Sequence, residues 1–381
     1  MLTFNFKQKI MKREVFGMKM KKIFCVIISC VLLICLSTSV SAAEVLSVQG
    51  SNWMSAVADD VSLKDLSIPG THDSATKYVS LGIKSRCQDL SIREQLWLGV
   101  RFLDIRLQYD ESCPGKIKLV HAVCDCYRGS GFGAPKLTLV NVLNECYSFL
   151  RENPAETILF MIKKDFGSDE EKLAREFKNT VEIDNNMWYT QNSLPTMGEA
   201  RGKIVLLNRL CENAADYFGE AEIGVNLSAW ESQKQKIYSP VETPQLSTDG
   251  KTISNVTIQD RYKLKPSLKW EKAVKPLLEK EKEKGKFVIN FLSTASGVSP
   301  QISAEYINEK FLDFDIAENR CLGVVLFDFA DKKLVEKVYM CNSPVFTKKD
   351  GITSPGEMPT EKSFDGKIKF FNWQPLINLF K

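Results

Sequence analysis

Histidine is scarce in this 381-residue chain, which has only two, His72 and His121. No cysteines stand in C-x-x-C spacing; the nearest approach is Cys-Asp-Cys at 124–126. So few imidazoles and no such pair argue against a zinc site. Charge of one sign is not in excess. There are 51 Lys and Arg against 47 Asp and Glu, a net charge of +4, with the signs interspersed. That balance excludes a dedicated nucleic-acid binder. There is no internal repeat and no long low-complexity tract. No Gly-x-Gly-x-x-Gly follows the first apolar run, so a dinucleotide-binding domain loses its main support. The most apolar stretch, residues 23–36, is short of the ~20 residues that span a bilayer.

That stretch has another use. From Met18 the chain reads "MKMKKIFCVIISCVLLICLSTSVSAAEV". A basic start, an apolar run and a small-residue site ending at Ala42 are the three parts of a secretory signal peptide. An uncleaved anchor is the alternative. Residues 1–42 are therefore read as an upstream segment and signal peptide, removed near Ala42, which makes the mature protein secreted. Three of the eleven cysteines lie in that leader, leaving eight. An even number in an exported chain permits disulfides, and Cys87, Cys113, Cys124 and Cys126 are the expected local partners.

The mature chain alternates short apolar runs with polar loops and stretches of helical spacing. The runs are "LKDLSIPG", "VRFLDIRL", "KIKLVHAV", "TILFMIKK", "GKIVLLNR", "NVTIQDRY", "KFVINFLS" and "GVVLFDFA". Helices are expected at "SIREQLWLG", "LTLVNVLNECYSFLREN", "SAEYINEKFLDF" and "DKKLVEKVYM", and at "LKPSLKWEKAVKPLLEKEKEKG" with Gly285 as its cap. Buried runs joined by helical crossovers indicate a parallel sheet. Eight of them over residues 43–341 suggest an α/β, single-domain (β/α)8 barrel, distorted between the fifth and sixth runs, where residues 210–255 show little helical period. An open doubly wound sheet is the alternative. Residues 342–381 read as a loop-rich C-terminal tail.

In a parallel barrel the chemistry sits at the C-terminal ends of the strands. The first run ends at His72 and Asp73, and the second carries Asp104 and Arg106 on one face. The third ends at His121, the fourth at Lys163, the fifth at Arg209 and the sixth at Asp260. The seventh carries Asn290 and the eighth Asp328. Singly, each is as well explained as a solvated strand end. Together, two imidazoles, several cations and several carboxylates at one mouth are a set for cleaving a phosphodiester without a metal. One histidine deprotonates the attacking hydroxyl and the other protonates the departing oxygen. A guanidinium holds the non-bridging oxygens, and carboxylates fix the imidazole tautomers. A metal-dependent diesterase would need carboxylates around an ion, and Arg106 in the mouth would repel one.

"SIPGTHDSAT", "REQLWLGVRFLDIRL", "ENPAETILFMIKKDF", "ARGKIVLLNR", "NVTIQDRYK" and "FVINFLSTASG" closely resemble the secreted bacterial phosphatidylinositol-specific phospholipases C, the X-region family. The resemblance runs from about Leu63 to Phe329. It implies a distorted TIM barrel, no cofactor, and cleavage of phosphatidylinositol to diacylglycerol and inositol 1,2-cyclic phosphate. By motif, His72 resembles the general base supported by Asp328, His121 the general acid partnered by Asp73, and Arg106 the phosphate-binding arginine with Asp104 in its network. Lys163, Arg209, Asp260 and Tyr262 resemble the inositol-binding groups, Tyr262 by stacking. Arg106 stands where calcium-dependent relatives carry an acidic ligand, so a metal-independent enzyme is implied.

The partner expected is phosphatidylinositol in membranes, met by transient contact of a monomer. Glycosylphosphatidylinositol anchors share its head group. The third-run loop "HAVCDCYRGSGFGAP" departs from the family's "HG" or "HHG". The loop after "FLSTASG" lacks the tryptophan that well-known members insert into membranes. Phe132, Trp97 and Trp373 are the candidates for that contact, with core packing as the alternative. Two other functions are separable: a metal-dependent glycerophosphodiester phosphodiesterase, and a non-catalytic phosphoinositide-binding module.

Overall fold

The structure, a computed structural model, describes residues 48–347 except 211–217, 219–222, 235–236 and 318–319. The expected leader, Trp373 and most of the expected tail lie outside the described residues. Among the described residues no helix is long and apolar enough to cross a membrane.

All eight apolar runs form strands. In chain order the strands are β1 (Ile68–Thr71), β2 (Phe102–Tyr109), β3 (Ile117–His121), β4 (Cys124–Asp125), β5 (Ile158–Lys164), β6 (Trp188–Tyr189), β7 (Ile204–Arg209), β8 (Val225–Asn226), β9 (Val241–Leu246), β10 (Thr252–Gln259), β11 (Phe287–Phe291) and β12 (Val324–Phe327). Nine of them lie in the order β6-β7-β5-β2-β1-β12-β11-β10-β9. Neighbours in that order are parallel except β9, which pairs antiparallel with β10. The first strand pairs with the last, Ile68 to Val324 through Thr71 to Phe327. Strand order therefore proceeds round in one direction, as in a barrel and not in a doubly wound sheet.

The distortion falls where the helical period fails. β6 and β8 lie along the same edge of β7, one beside its start and one beside its end. Among the described residues no ladder joins β8 to β9. Asn192 spans the seam with its side chain. Its Oδ1 accepts from Asn226 N at 3.0 Å and from Gln245 Nε2 at 2.9 Å, and its Nδ2 donates to Leu246 O at 2.8 Å.

One run departs from the barrel. β3 pairs antiparallel with β2 and β4, so "KIKLVHAV" is a hairpin excursion and not the third barrel strand. A parallel return needs a crossover of a dozen or more residues, and the link from Tyr109 to Ile117 is far shorter.

The helices begin at legible caps: Ser91 with Glu94 before Ile92–Leu98, Thr138 with Asn141 before Leu139–Glu152, Ser299 before Pro300–Asp313 and Asp331 before Lys332–Tyr339. A helix at Glu170–Ile183, capped by Asp169, was not foreseen. The helix of "KPSLKWEKAVKPLLE" ends at Glu279 and not at Gly285, and it carries a π turn over Trp270–Val274. Pro276 lacks an N–H to complete the α ladder there. Gly285 serves a later turn, its N–H donating to Asp65 at 2.7 Å.

At the N-terminal end of the strands, Arg101 and Glu156 form a fully buried pair at 2.7 Å. Glu156 also accepts from Met54 N and Ser55 N, and Arg101 donates to Gly50 O and Ser51 O. The pair ties the segment Gly50–Ala56 across the bottom of the barrel. Gly99, at φ +119, lets the helix Ile92–Leu98 turn directly toward β2 while its carbonyl accepts from Trp53 Nε1. Packing continues past 341. The Asn342 amide pairs with both backbone groups of Ser67. The expected disulfides do not form: Cys87, Cys113, Cys124 and Cys126 are separate buried thiols.

Candidate active site

β1 delivers His72, Asp73 and Ser74 to the C-terminal mouth. The chain turns there through Asp73, a non-glycine residue at φ +42. Ala122, after His121, and Phe329, after Asp328, are also left-handed, at φ +53 and +50. Such backbone costs about 1–3 kcal/mol per residue and is tolerated where the surroundings hold it. Here those surroundings are visible. Phe329 N donates to Cys87 O, Ala122 N to Asp165 at 2.7 Å, and Ser74 N to Asp104 O. Gln88 Nε2 ties the carbonyls of His72 and Phe327 together at 2.8 and 2.9 Å.

The turn places the buried Asp73 carboxylate between both imidazoles. Its Oδ2 is 3.2 Å from His72 Nε2 and 3.4 Å from His121 Nε2, and its Oδ1 is 3.4 Å from Arg106 Nε. His72 Nδ1 meets Asp328 Oδ1 at 2.8 Å, and His121 Nδ1 donates to Ser85 O at 2.7 Å. The rings cross nearly at right angles, 6.4 Å apart. Arg106 donates Nε and Nη2 to the two oxygens of Asp104 at 2.8 and 2.7 Å.

The charges answer this arrangement. Burial opposes the His72 imidazolium, but Asp73 and Asp328 outweigh it and push its pKa up to about 9. Burial opposes the Asp73 carboxylate too. His121, His72 and Arg106 outweigh it and hold the group well below the usual carboxylate range. Asp104 and Asp73 likewise keep Arg106 charged against its burial.

Lys163 and Arg209 stand in register with Arg106 on the adjoining strands β5 and β7. The charge of Arg106, then burial, then Arg209 bring the Lys163 ammonium down to about 8. Burial lowers Arg209 to about 10. Its guanidinium lies 3.9 Å from the Trp230 ring, and Nη1 is buried without a hydrogen-bond partner among the described residues. Asp260 follows β10. The Tyr262 hydroxyl meets Ser232 at 2.6 Å. Asn290 accepts from Gln259 Nε2 at 2.7 Å, Gln259 accepts from the buried Lys269 at 2.9 Å, and Asn290 Nδ2 has no hydrogen-bond partner among the described residues. Two buried donors on β7 and β11 thus have bonds unmade among the described residues.

Thus His72, His121, Asp73, Asp104, Arg106 and Asp328 form one contacting cluster, with Lys163, Arg209, Asp260 and Tyr262 flanking it on β5, β7 and after β10. Sequence reasoning missed Cys87, Gln88, Trp230 and Lys269. Only "RCQDL", a polar loop between the first strand and its helix, hinted at the first two. Trp97 is half-buried and packs edge-to-face on the core residue Phe149, centroids 6.3 Å apart, the core-packing alternative.

Residues 60–198 match the family model PI-PLC X. The chain is 32% identical over 274 residues to a 1-phosphatidylinositol phosphodiesterase of Staphylococcus aureus, covering 68% of this chain and 80% of the relative. It is 26% identical over 314 residues to a Listeria monocytogenes protein of the same name, covering 78% and 86%. A solved S. aureus phosphatidylinositol-specific phospholipase C superposes with a TM-score of 0.61 at 27% identity, covering 76% of this chain and 97% of that one. The cluster at the barrel mouth, the strand order and these likenesses converge: the chain belongs to the bacterial phosphatidylinositol-specific phospholipase C family.

Proposed function

We propose that this chain cleaves phosphatidylinositol to diacylglycerol and inositol 1,2-cyclic phosphate, by attack of the inositol 2-hydroxyl and without a metal. The observation that carries this reading is Asp73 Oδ2 facing the Nε2 of both imidazoles, with Arg106 on its other oxygen.

With Nδ1–H held by Asp328, the neutral form of His72, a minority at pH 7 because the carboxylates raise its pKa to about 9, presents its Nε2 lone pair to the substrate. It takes the proton of the 2-hydroxyl, and the 2-oxygen forms its bond to phosphorus as the bond to the glycerol oxygen breaks. His121 gives its Nε2 proton to that oxygen. Arg106, oriented by Asp104, holds the non-bridging oxygens. The neighbouring hydroxyl has a large proximity advantage over water. The unmade donors of Arg209 and Asn290, with Lys163, Asp260 and the Tyr262 ring, suit a polyhydroxylated head group. Leu81, Ile83, Val123 and Phe166 are exposed large apolar residues on the segments that hold His121, and Phe132 is fully exposed on the loop beyond. They support brief contact with a lipid surface. The leader grammar supports export before this encounter.

Phosphorus NMR of the mature chain on phosphatidylinositol vesicles, with chelator, tests the reading. A cyclic phosphate should appear first, and open inositol 1-phosphate later. Direct appearance of the open product, or cleavage of a 2-O-methyl inositol lipid, would replace it with hydrolysis by water. No turnover with retained lipid binding would favour a binding module.

A further inference from the structure

Cys87 has no part in the mechanism above, yet its thiol is buried against it. The Sγ lies 3.9 Å from His121 Nδ1. One ligand atom from each of His72, Asp73 and Cys87 falls within 4.8 Å of the other two. A tetrahedral zinc, with bonds of about 2.0–2.3 Å, holds its ligand atoms roughly 3–4 Å apart, so small side-chain shifts would close the set.

We propose that His72, Asp73 and Cys87 form a binding site for a soft divalent cation of the zinc type, whose occupancy switches the enzyme off. Three features support the assignment. His72 Nδ1 is engaged by Asp328 at 2.8 Å, the carboxylate–imidazole arrangement that orients metal-binding histidines and leaves Nε2 for the ion. Arg106 lies closer to the two oxygens of Asp104, at 2.8 and 2.7 Å, than to Asp73 Oδ1, at 3.4 Å, and Asp73 Oδ2 with Asp328 supplies the negative charge that offsets its repulsion of a cation. The thiol selects a soft ion over calcium or magnesium. As the S–Zn and N–Zn bonds form, the Cys87 thiol proton and the proton on His72 Nε2 both leave to solvent. The ion occupies the His72 lone pair that would accept the 2-hydroxyl proton and the Asp73 oxygen that faces His121. The ligands come from one turn and a loop fourteen residues on, outside any zinc-motif spacing. The inhibitory half of the proposal rests on the function proposed above; the binding half does not.

Metal-free mature chain is titrated with zinc by calorimetry, and separately with cobalt by absorption spectroscopy. One zinc per chain should bind, activity should fall in parallel, and chelator should restore it. Cobalt should give a thiolate-to-cobalt charge-transfer band in the near ultraviolet. Cys87→Ser should cleave phosphatidylinositol, lose the band, and bind zinc at least about tenfold more weakly, since losing even outer partners of a metal costs 10- to 100-fold. Cys87→Ala serves if serine unfolds the site, and Cys124→Ser should behave as the parent. His72→Gln should also weaken zinc. A band that survives in the Cys87 variants, zinc inhibition unchanged in them, or no zinc bound at one equivalent overturns the proposal. If the parent cleaves no phosphatidylinositol, the cobalt band still decides the site.

Discussion

His72 Nδ1 and Asp328 Oδ1 meet at 2.8 Å across 256 positions of sequence. The parallel pairing of β1 with β12 makes the contact, because it brings the ends of the first and last strands side by side. One consequence is electrostatic. With only two histidines in the chain, an NMR titration of the imidazole protons reads each ring directly. One ring should titrate near 9, and His72→Ala should remove that signal. Asp328→Asn should move it toward the ordinary value, since one of the three raising carboxylates is gone. A His72 signal at 6.5 in the parent would sink this account.

The same shift links stability to pH. His72 is raised from 6.5 to about 9, so its stabilisation is complete below 6.5 and lost as pH climbs through 9. At ~1.4 kcal/mol per pH unit the ceiling is about 3 kcal/mol. Denaturant melts of the parent should fall across that window, and those of His72→Ala should stay flatter.

Asp73→Asn should be as damaging as losing a histidine, because one carboxylate serves both rings and the arginine. His72→Ala and His121→Ala are each expected to cost ~10²–10⁴ in rate, and Asp73→Asn should fall in the same range. Single-turnover cleavage of phosphatidylinositol by the folded variants checks this; near-parent rates would remove the residue from the mechanism.

Arg106→Lys should lower kcat by ~10²–10³, the loss typical of one preorganised oxyanion donor, because an ammonium cannot reproduce the fork that meets both Asp104 and a phosphate. Parent activity should persist in excess chelator. Calcium-dependent recovery of a chelated, inactive enzyme would contradict the metal-free mechanism.

Glu156→Gln should separate stability from chemistry. Breaking a buried ion pair by changing one partner costs about 3–5 kcal/mol, and Arg101 and Glu156 lie at the opposite ends of the strands from the cluster. Urea unfolding should show the loss, while kcat of the chain that remains folded stays at the parent value.

The eight apolar runs, most of the helices between them and the polar residue at each strand end were legible in the amino-acid sequence, because periodicity is local and its energy depends on near neighbours; the one cap read there, Gly285, lies six residues past the helix end at Glu279. The short link before β3 also carried its message, since seven residues cannot make a parallel crossover; the apolar run concealed it. What the text did not hold was who meets whom. His121 reaches Asp73 from a hairpin folded over the mouth. Asp73 faces two rings because its backbone turns at φ +42. Cys87 is driven against His121 by a loop whose carbonyl accepts from Phe329. Asn192 closes a seam that no ladder among the described residues spans. The sequence determined the parallel sheet and the kinds of group at its mouth. Tertiary structure alone decided the sharing of one carboxylate and the thiol beside it, because those contacts join residues far apart in the chain at distances set only when the first and last strands lie together.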